Sequence, residues 1–158
     1  MLIKAPQHFH SGNPSVFKIF LAGSIESGMA VSWQDRIGNE FAKKENVWIL
    51  NPAREDWDEN WNEEIDDPQF NKQLNWESNA LEQADLIVMY FAVDSQAPVT
   101  LLELGLFAAS GKLLVCCSAG FWKKGNVDFV CQKYGVQQFN SIEELIKEVH
   151  QKYTQWQL

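Results

Sequence analysis

Residues 75–91, NWESNALEQADLIVMYF, carry a polar, helix-forming stretch directly into LIVMYF, a run of branched and aromatic side chains with no polar interruption. An apolar run that short, entered from a helical pattern, is a strand buried on both faces. The pattern predicts a helix over about Phe70 to Gln83 and a strand over 85–91. Working outward, the same alternation recurs. VFKIFLA (16–22) is a buried strand closed by Gly23, and Trp33, Ile37 and Phe41 at helical spacing mark a helix from about Val31 to Glu45. VWILNP (47–52) is a strand stopped at Asn51-Pro52, because proline cannot donate to a ladder. A helix over 100–110, ended by Gly111, leads to the strand KLLVCC; a helix over 122–134, the short strand VQQF and a last helix from 141 to about 155 follow. Ser141 and Glu144 form a capping box at the start of that last helix.

Strands alternating with helices specify a parallel sheet covered on both faces. The expected fold is α/β, a flavodoxin- or Rossmann-like three-layer sandwich with a five-stranded parallel sheet, in a single domain over 1–158 whose residues 1–15 are a polar lead-in. Ligands bind such sheets at the carboxyl ends of the strands. Three segments converge there: GSIESG after the first strand, the acidic, Trp-rich stretch 53–68 after the second, and the 92–99 loop with the following helix after the third.

Composition sets the outer limits. At 158 residues the chain suits one domain, which runs roughly 100 to 200 residues. A net charge of −8, with a dense run of acids between Glu55 and Asp67, offers no basic stripe for phosphates and argues against a nucleic-acid polymer as partner. Cys116, Cys117 and Cys131 form no CxxC pair and read as small core residues rather than zinc ligands or a disulfide framework. His8, His10 and His150 lack metal-ligand spacing and are expected at the surface. No long apolar segment suggests secretion or a membrane span, so the expected location is cytoplasmic. Seven Trp residues exceed the needs of a small core, and Trp33, Trp57, Trp61 and Trp76 stand in polar surroundings where a ring lines a pocket or an interface.

Glu103 is the carboxylate of an otherwise apolar stretch, TLLELGLF (100–107). In the first turn of its helix it either complements the helix dipole or, held ionised and partly desolvated at the ligand-binding edge, serves as a nucleophile. Glu77 is either a solvated helix acid or a second carboxyl for the same chemistry, and Asp94 either a turn former beside Ser95 or a proton donor. Gly23 and Ser24 make either a plain strand-to-helix turn or a sugar contact. Trp57 and Trp61 either stack on a base or cover the sheet or a subunit contact.

Three stretches give these residues a common context. IFLAGSIESG (19–28), NWESNALEQADLIVMYF (75–91) and VTLLELGLFAASGKLLV (99–115) resemble, in order and spacing, three motifs of the nucleoside 2-deoxyribosyltransferase superfamily, which includes the 2'-deoxynucleoside 5'-phosphate N-hydrolases. FWKKGNVDFVCQKYGV (121–136) is similar to a divergent, transferase-like branch. The resemblance implies that Glu103 attacks C1' of a (deoxy)nucleoside to form a covalent glycosyl-enzyme, resolved with retention by a second nucleobase or by water. It implies Glu77 as the acid of the second motif, where better-known relatives carry Asp, and Asp94 as an acid of the following loop. It implies substrate contacts at Gly23 and Ser24, beside the base stacking read for Trp57, with Asn126 reaching a neighbouring subunit, no metal or cofactor, and at least a homodimer. Glu26 departs from the hydrolase pattern, which has Arg there, and an acid at that point repels a 5'-phosphate unless Arg54 or Lys123/Lys124 supplies charge. The competing expectations are a nucleotide N-glycoside hydrolase, including NAD-like substrates, and a non-catalytic nucleotide-binding module; a flavodoxin-like electron carrier is the weakest.

Overall fold

The computed structural model describes residues 1–158 except 11, 13, 24–31 and 59. Its strands are β1 (Leu2–Lys4), β2 (Phe17–Gly23), β3 (Val47–Asn51), β4 (Leu86–Phe91), β5 (Leu113–Cys117) and β6 (Gln137–Phe139). Its helices are α1 (Trp33–Phe41), α2 (Pro68–Gln83), α3 (Pro98–Phe107), α4 (Lys124–Tyr134) and α5 (Ile142–Trp156). The six strands form one sheet in the order β1-β3-β2-β4-β5-β6, every pair parallel. The expected α/β sandwich is present, with one strand more than the five expected. The extra strand, β1, lies in the stretch read as a polar lead-in and pairs Ile3 with Leu50 at the sheet edge.

Period-two alternation sorts the core onto two faces. On one face Phe20, Ala22, Ile87, Met89, Val115 and Cys117 pack beneath Trp76 and Leu81 of α2, Leu104 of α3 and Val127 of α4. On the other, Ile19, Leu21, Val88 and Leu114 meet Ile37 and Phe41 of α1 and Leu145 and Val149 of α5. The three cysteines are buried free thiols, as expected of small core residues. Trp33 and Trp76 are core residues rather than pocket or interface rings; Trp76 packs edge-on against Phe9 and donates its indole N–H to the Gln7 carbonyl at 2.8 Å. Among the described residues no helix is long and apolar enough to cross a membrane.

Two helix starts lie earlier than expected, for a local reason. Asp67 caps α2 by accepting from the backbone N–H groups of Gln69 and Phe70, both at 2.9 Å, and Pro68 opens the helix. Proline suits that position because its missing N–H is an orphan there in any case. Pro98 opens α3 in the same way, behind Ala97 in a left-handed turn at φ 45°.

Candidate active site

The C-terminal ends of β2 and β3 and the facing sides of α2 and α3 enclose a cavity of about 330 Å³. Its position follows from the topology: β3 and β4 leave β2 in opposite directions, and the crevice outside the strand ends opens at such a switch point. Asn51 and Pro52 turn the chain out of β3, with the Asn51 side-chain oxygen accepting from Ala53 N–H at 3.0 Å. Gly23 ends β2 where a side chain has no room, since an added Cβ would lie 2.6 Å from the Tyr90 carbonyl oxygen and 2.8 Å from Trp33 Cζ2.

Glu103 and Glu77 both line this cavity. Because α3 begins at Pro98, Glu103 falls in its second turn, not the first. The dipole explanation weakens there, as that effect decays within a turn. Glu103 is 8 % exposed. Burial, together with the charge of Glu77, pushes its carboxyl up to about 8. In the empty cavity burial and the neighbouring Glu77 charge thus favour the protonated form of Glu103 at neutral pH, against the ionised form expected of it. Glu77 is also raised by burial, and a hydrogen bond from Gln73 opposes that shift. Gln73 Nε2 donates to Glu77 Oε1 at 2.8 Å and to the Pro52 carbonyl at 2.9 Å.

The remaining wall comes from the segment after β3. The Arg54 side chain is 2 % exposed, and its Nε and Nη2 donate to the two carboxylate oxygens of Asp56 at 2.8 and 2.6 Å. That fork raises the guanidinium further and holds the exposed Asp56 carboxyl below its usual range. Arg54 also lies 4.5 Å from the Trp61 ring centroid. Trp57, 42 % exposed at the rim, packs edge-on against Trp61 with centroids 5.2 Å apart.

Of the expected site residues, Glu103, Glu77, Gly23 and Trp57 thus come together around one cavity. Asp94 does not: it is exposed in the loop after β4 and lines no part of the cavity. Asn126 is exposed in the first turn of α4, also away from the cavity wall. Ser24 and Glu26 lie outside the described residues. Gln73 was missed, although its spacing of four before Glu77 places both on one helix face. Arg54 entered only as a phosphate partner, and its fork with Asp56 two residues on was not foreseen. Of the two other cations considered for that role, Lys124 is paired with Asp128 at 2.8 Å and Lys123 lies 4.6 Å from the Trp122 ring centroid. Among the described residues no group of three or more His, Cys, Asp or Glu side chains is placed to hold a metal.

The chain matches the model of a family described as nucleoside 2-deoxyribosyltransferase like over residues 16–121, the stretch that holds Gly23, Arg54, Gln73, Glu77 and Glu103. No curated protein matches it significantly. Among solved structures it is similar to a conserved protein from Enterococcus faecalis V583, with a TM-score of 0.60 and 14 % identity over 87 % of this chain and 99 % of that one. That likeness shows the fold.

Proposed function

The chain belongs to the nucleoside 2-deoxyribosyltransferase-like family, and from that premise we propose that it cleaves or transfers the N-glycosidic bond of a nucleoside. The observation that carries this reading is the pair of carboxyl groups, Glu103 and Glu77, in the wall of one cavity, with Glu103 keeping a proton up to about pH 8. Two desolvated carboxyls, one of them protonated, supply the two roles that retaining glycoside cleavage needs.

In the proposed reaction the pair's proton resides on Glu77 when a substrate is bound, leaving the Glu103 carboxylate to attack C1'. A Glu103 oxygen–C1' bond forms as the C1'–nitrogen bond breaks, its electron pair leaves with the base, and the Glu77 proton neutralises the base. Attack on C1' by water, or by a second base, then releases Glu103 and returns the proton. Two inversions give retention. Trp57 stacks on the base at the rim, and the backbone at Gly23, where no Cβ fits, lies against the sugar. Asp94 has no part in this scheme because it lies outside the cavity. Free nucleosides suit the cavity better than their 5'-phosphates: Glu63, Glu77 and Glu103 line it, and Asp56 already pairs with Arg54.

The test is a panel of nucleosides with and without free acceptor bases, reading released and exchanged bases by chromatography, for the wild type and Glu103→Gln. Base release by the wild type, a loss of several orders of magnitude in the variant, and a sugar adduct on Glu103 in mass spectra of a slow substrate are expected. Near-normal turnover in Glu103→Gln, or an adduct on another residue, would overturn the assignment.

A further inference from the structure

In the residues that line the cavity, Arg54 Nη1, a donor, and Gln73 Oε1, an acceptor, are buried without a hydrogen-bond partner. Each belongs to a side chain whose other nitrogens already donate to a partner. Arg54 is forked onto Asp56 through Nε and Nη2, and Gln73 gives its amide hydrogens to Glu77 and Pro52. Neither side chain can turn to satisfy its free atom without breaking bonds it already has. Buried polar groups in native proteins are nearly always paired, so a fixed orphan donor and a fixed orphan acceptor in one cavity wall call for a ligand edge with the opposite pattern.

We propose that Arg54 Nη1 and Gln73 Oε1 read the lactam edge of a nucleobase, a ring carbonyl beside a ring N–H, and so make the protein selective for oxo-bases over their amino counterparts. This rests on the nucleoside reading above. A guanidinium N–H gains most from the strongly polar oxygen of a carbonyl, which leaves the neighbouring ring N–H for the amide oxygen of Gln73. A 6-amino edge reverses both signs and sets donor against donor and acceptor against acceptor. Asp56 balances the guanidinium charge, so the subsite fits a neutral acceptor and not a phosphate dianion. Both atoms are sealed from solvent, so a base reaches them by displacing part of the wall. Trp57, 42 % exposed at the rim, is the ring best placed to yield.

2'-Deoxyinosine and 2'-deoxyadenosine isolate the effect, because they differ in that one edge. Calorimetry should give at least about tenfold tighter binding of deoxyinosine to the wild type, the size expected of a hydrogen bond to a charged donor. Arg54→Met should abolish that preference, by weakening deoxyinosine binding and by relieving the donor–donor clash with deoxyadenosine. Arg54→Lys should not restore it, since an ammonium cannot keep the fork to Asp56 and still present Nη1. Thermal melts of both variants establish that they fold. Equal or tighter binding of deoxyadenosine by the wild type, or a preference that survives in Arg54→Met, overturns the lactam subsite while leaving N-glycoside cleavage standing. Binding of neither nucleoside, with no base released from any, overturns both.

Discussion

Gln73 ties Glu77 to the end of strand β3: one amide hydrogen reaches Glu77 Oε1 at 2.8 Å and the other the Pro52 carbonyl at 2.9 Å. The amide thereby fixes the Glu77 rotamer and favours its ionised form against the burial that raises it. Replacing Gln73 with Leu keeps the apolar volume and removes both bonds. The expected cost is about 1–3 kcal/mol in urea denaturation, because the Pro52 carbonyl loses its donor. The acid limb of the rate profile should move to higher pH as Glu77 loses the bond that favoured its charge. An unchanged limb would show that Gln73 has no hold on Glu77.

Burial of Glu103 has a pH signature of its own. Its folded-state titration is raised from the ordinary 4.5 to about 8, so between those values the native chain holds a proton that the unfolded chain releases. Stability from this group is fully present below about pH 4.5 and is lost as pH rises toward 8, at up to about 1.4 kcal/mol per pH unit. Glu103→Gln cannot titrate and should lack that slope. Urea midpoints taken from pH 4.5 to 8.5 should show the wild type losing ground to the variant as pH rises, and parallel curves would contradict the burial.

Much of this arrangement was legible in the residues. The uninterrupted run Leu86–Phe91 and its counterparts specified the buried strands, and the parallel alternation put Gly23, Glu77 and Glu103 at one sheet edge. β1 was not legible because Leu2–Lys4 is too short to show a period and joins the sheet by pairing alone. The proton on Glu103 was hidden because composition does not tell how deeply a helix face is buried or which acid stands opposite. Asp94 stands exposed in a turn of the loop after β4, in line with the turn-forming alternative of its sequence reading. Leu102 and Leu106 are exposed although they stand in an apolar run, whereas a helix apolar all round is ordinarily buried.

That last departure leads to a prediction. Val99, Leu102 and Leu106 fall on one stripe of α3, with Leu102 69 % and Leu106 77 % exposed, and Trp122 and Phe129 are exposed on and beside α4, which packs against α3. Val99 also lines the cavity, so the stripe starts at its mouth. A surface of this kind is costly to leave in water. We expect sedimentation velocity at micromolar concentration to give at least a dimer, and Leu102→Asp with Leu106→Asp to give monomer. A wild type that sediments only as monomer would contradict this.

Gly23 offers a test of the cavity floor. An added Cβ would meet the Tyr90 carbonyl oxygen at 2.6 Å, and that oxygen belongs to the neighbouring strand β4 and cannot swing away. Gly23→Ala should therefore part β2 from β4 at the site. A loss of about 1–3 kcal/mol, typical of overpacking, is expected in urea denaturation. A variant as stable as the wild type would mean that the strand ends separate freely.

The pH dependence of turnover tests the two carboxyl groups as a unit. Protons leave interacting acids in two steps that belong to the pair, and the proposed reaction needs the state with one proton, so that one group attacks while the other donates. The upper step lies near 8, and the lower is raised from its ordinary value because burial acts on Glu77 as well. A bell-shaped profile of kcat/KM is expected, with its alkaline limb near pH 8. Glu77→Gln removes the donor and the charge that helps to raise Glu103. The nucleophile then ionises at lower pH, the alkaline limb disappears, and the plateau falls by roughly 10²–10⁴ through loss of general acid catalysis. Initial rates of base release between pH 5 and 9.5 on both proteins check this. An alkaline limb that persists in Glu77→Gln would place the essential acid elsewhere and leave Glu77 as the neighbour that keeps Glu103 protonated in the empty site.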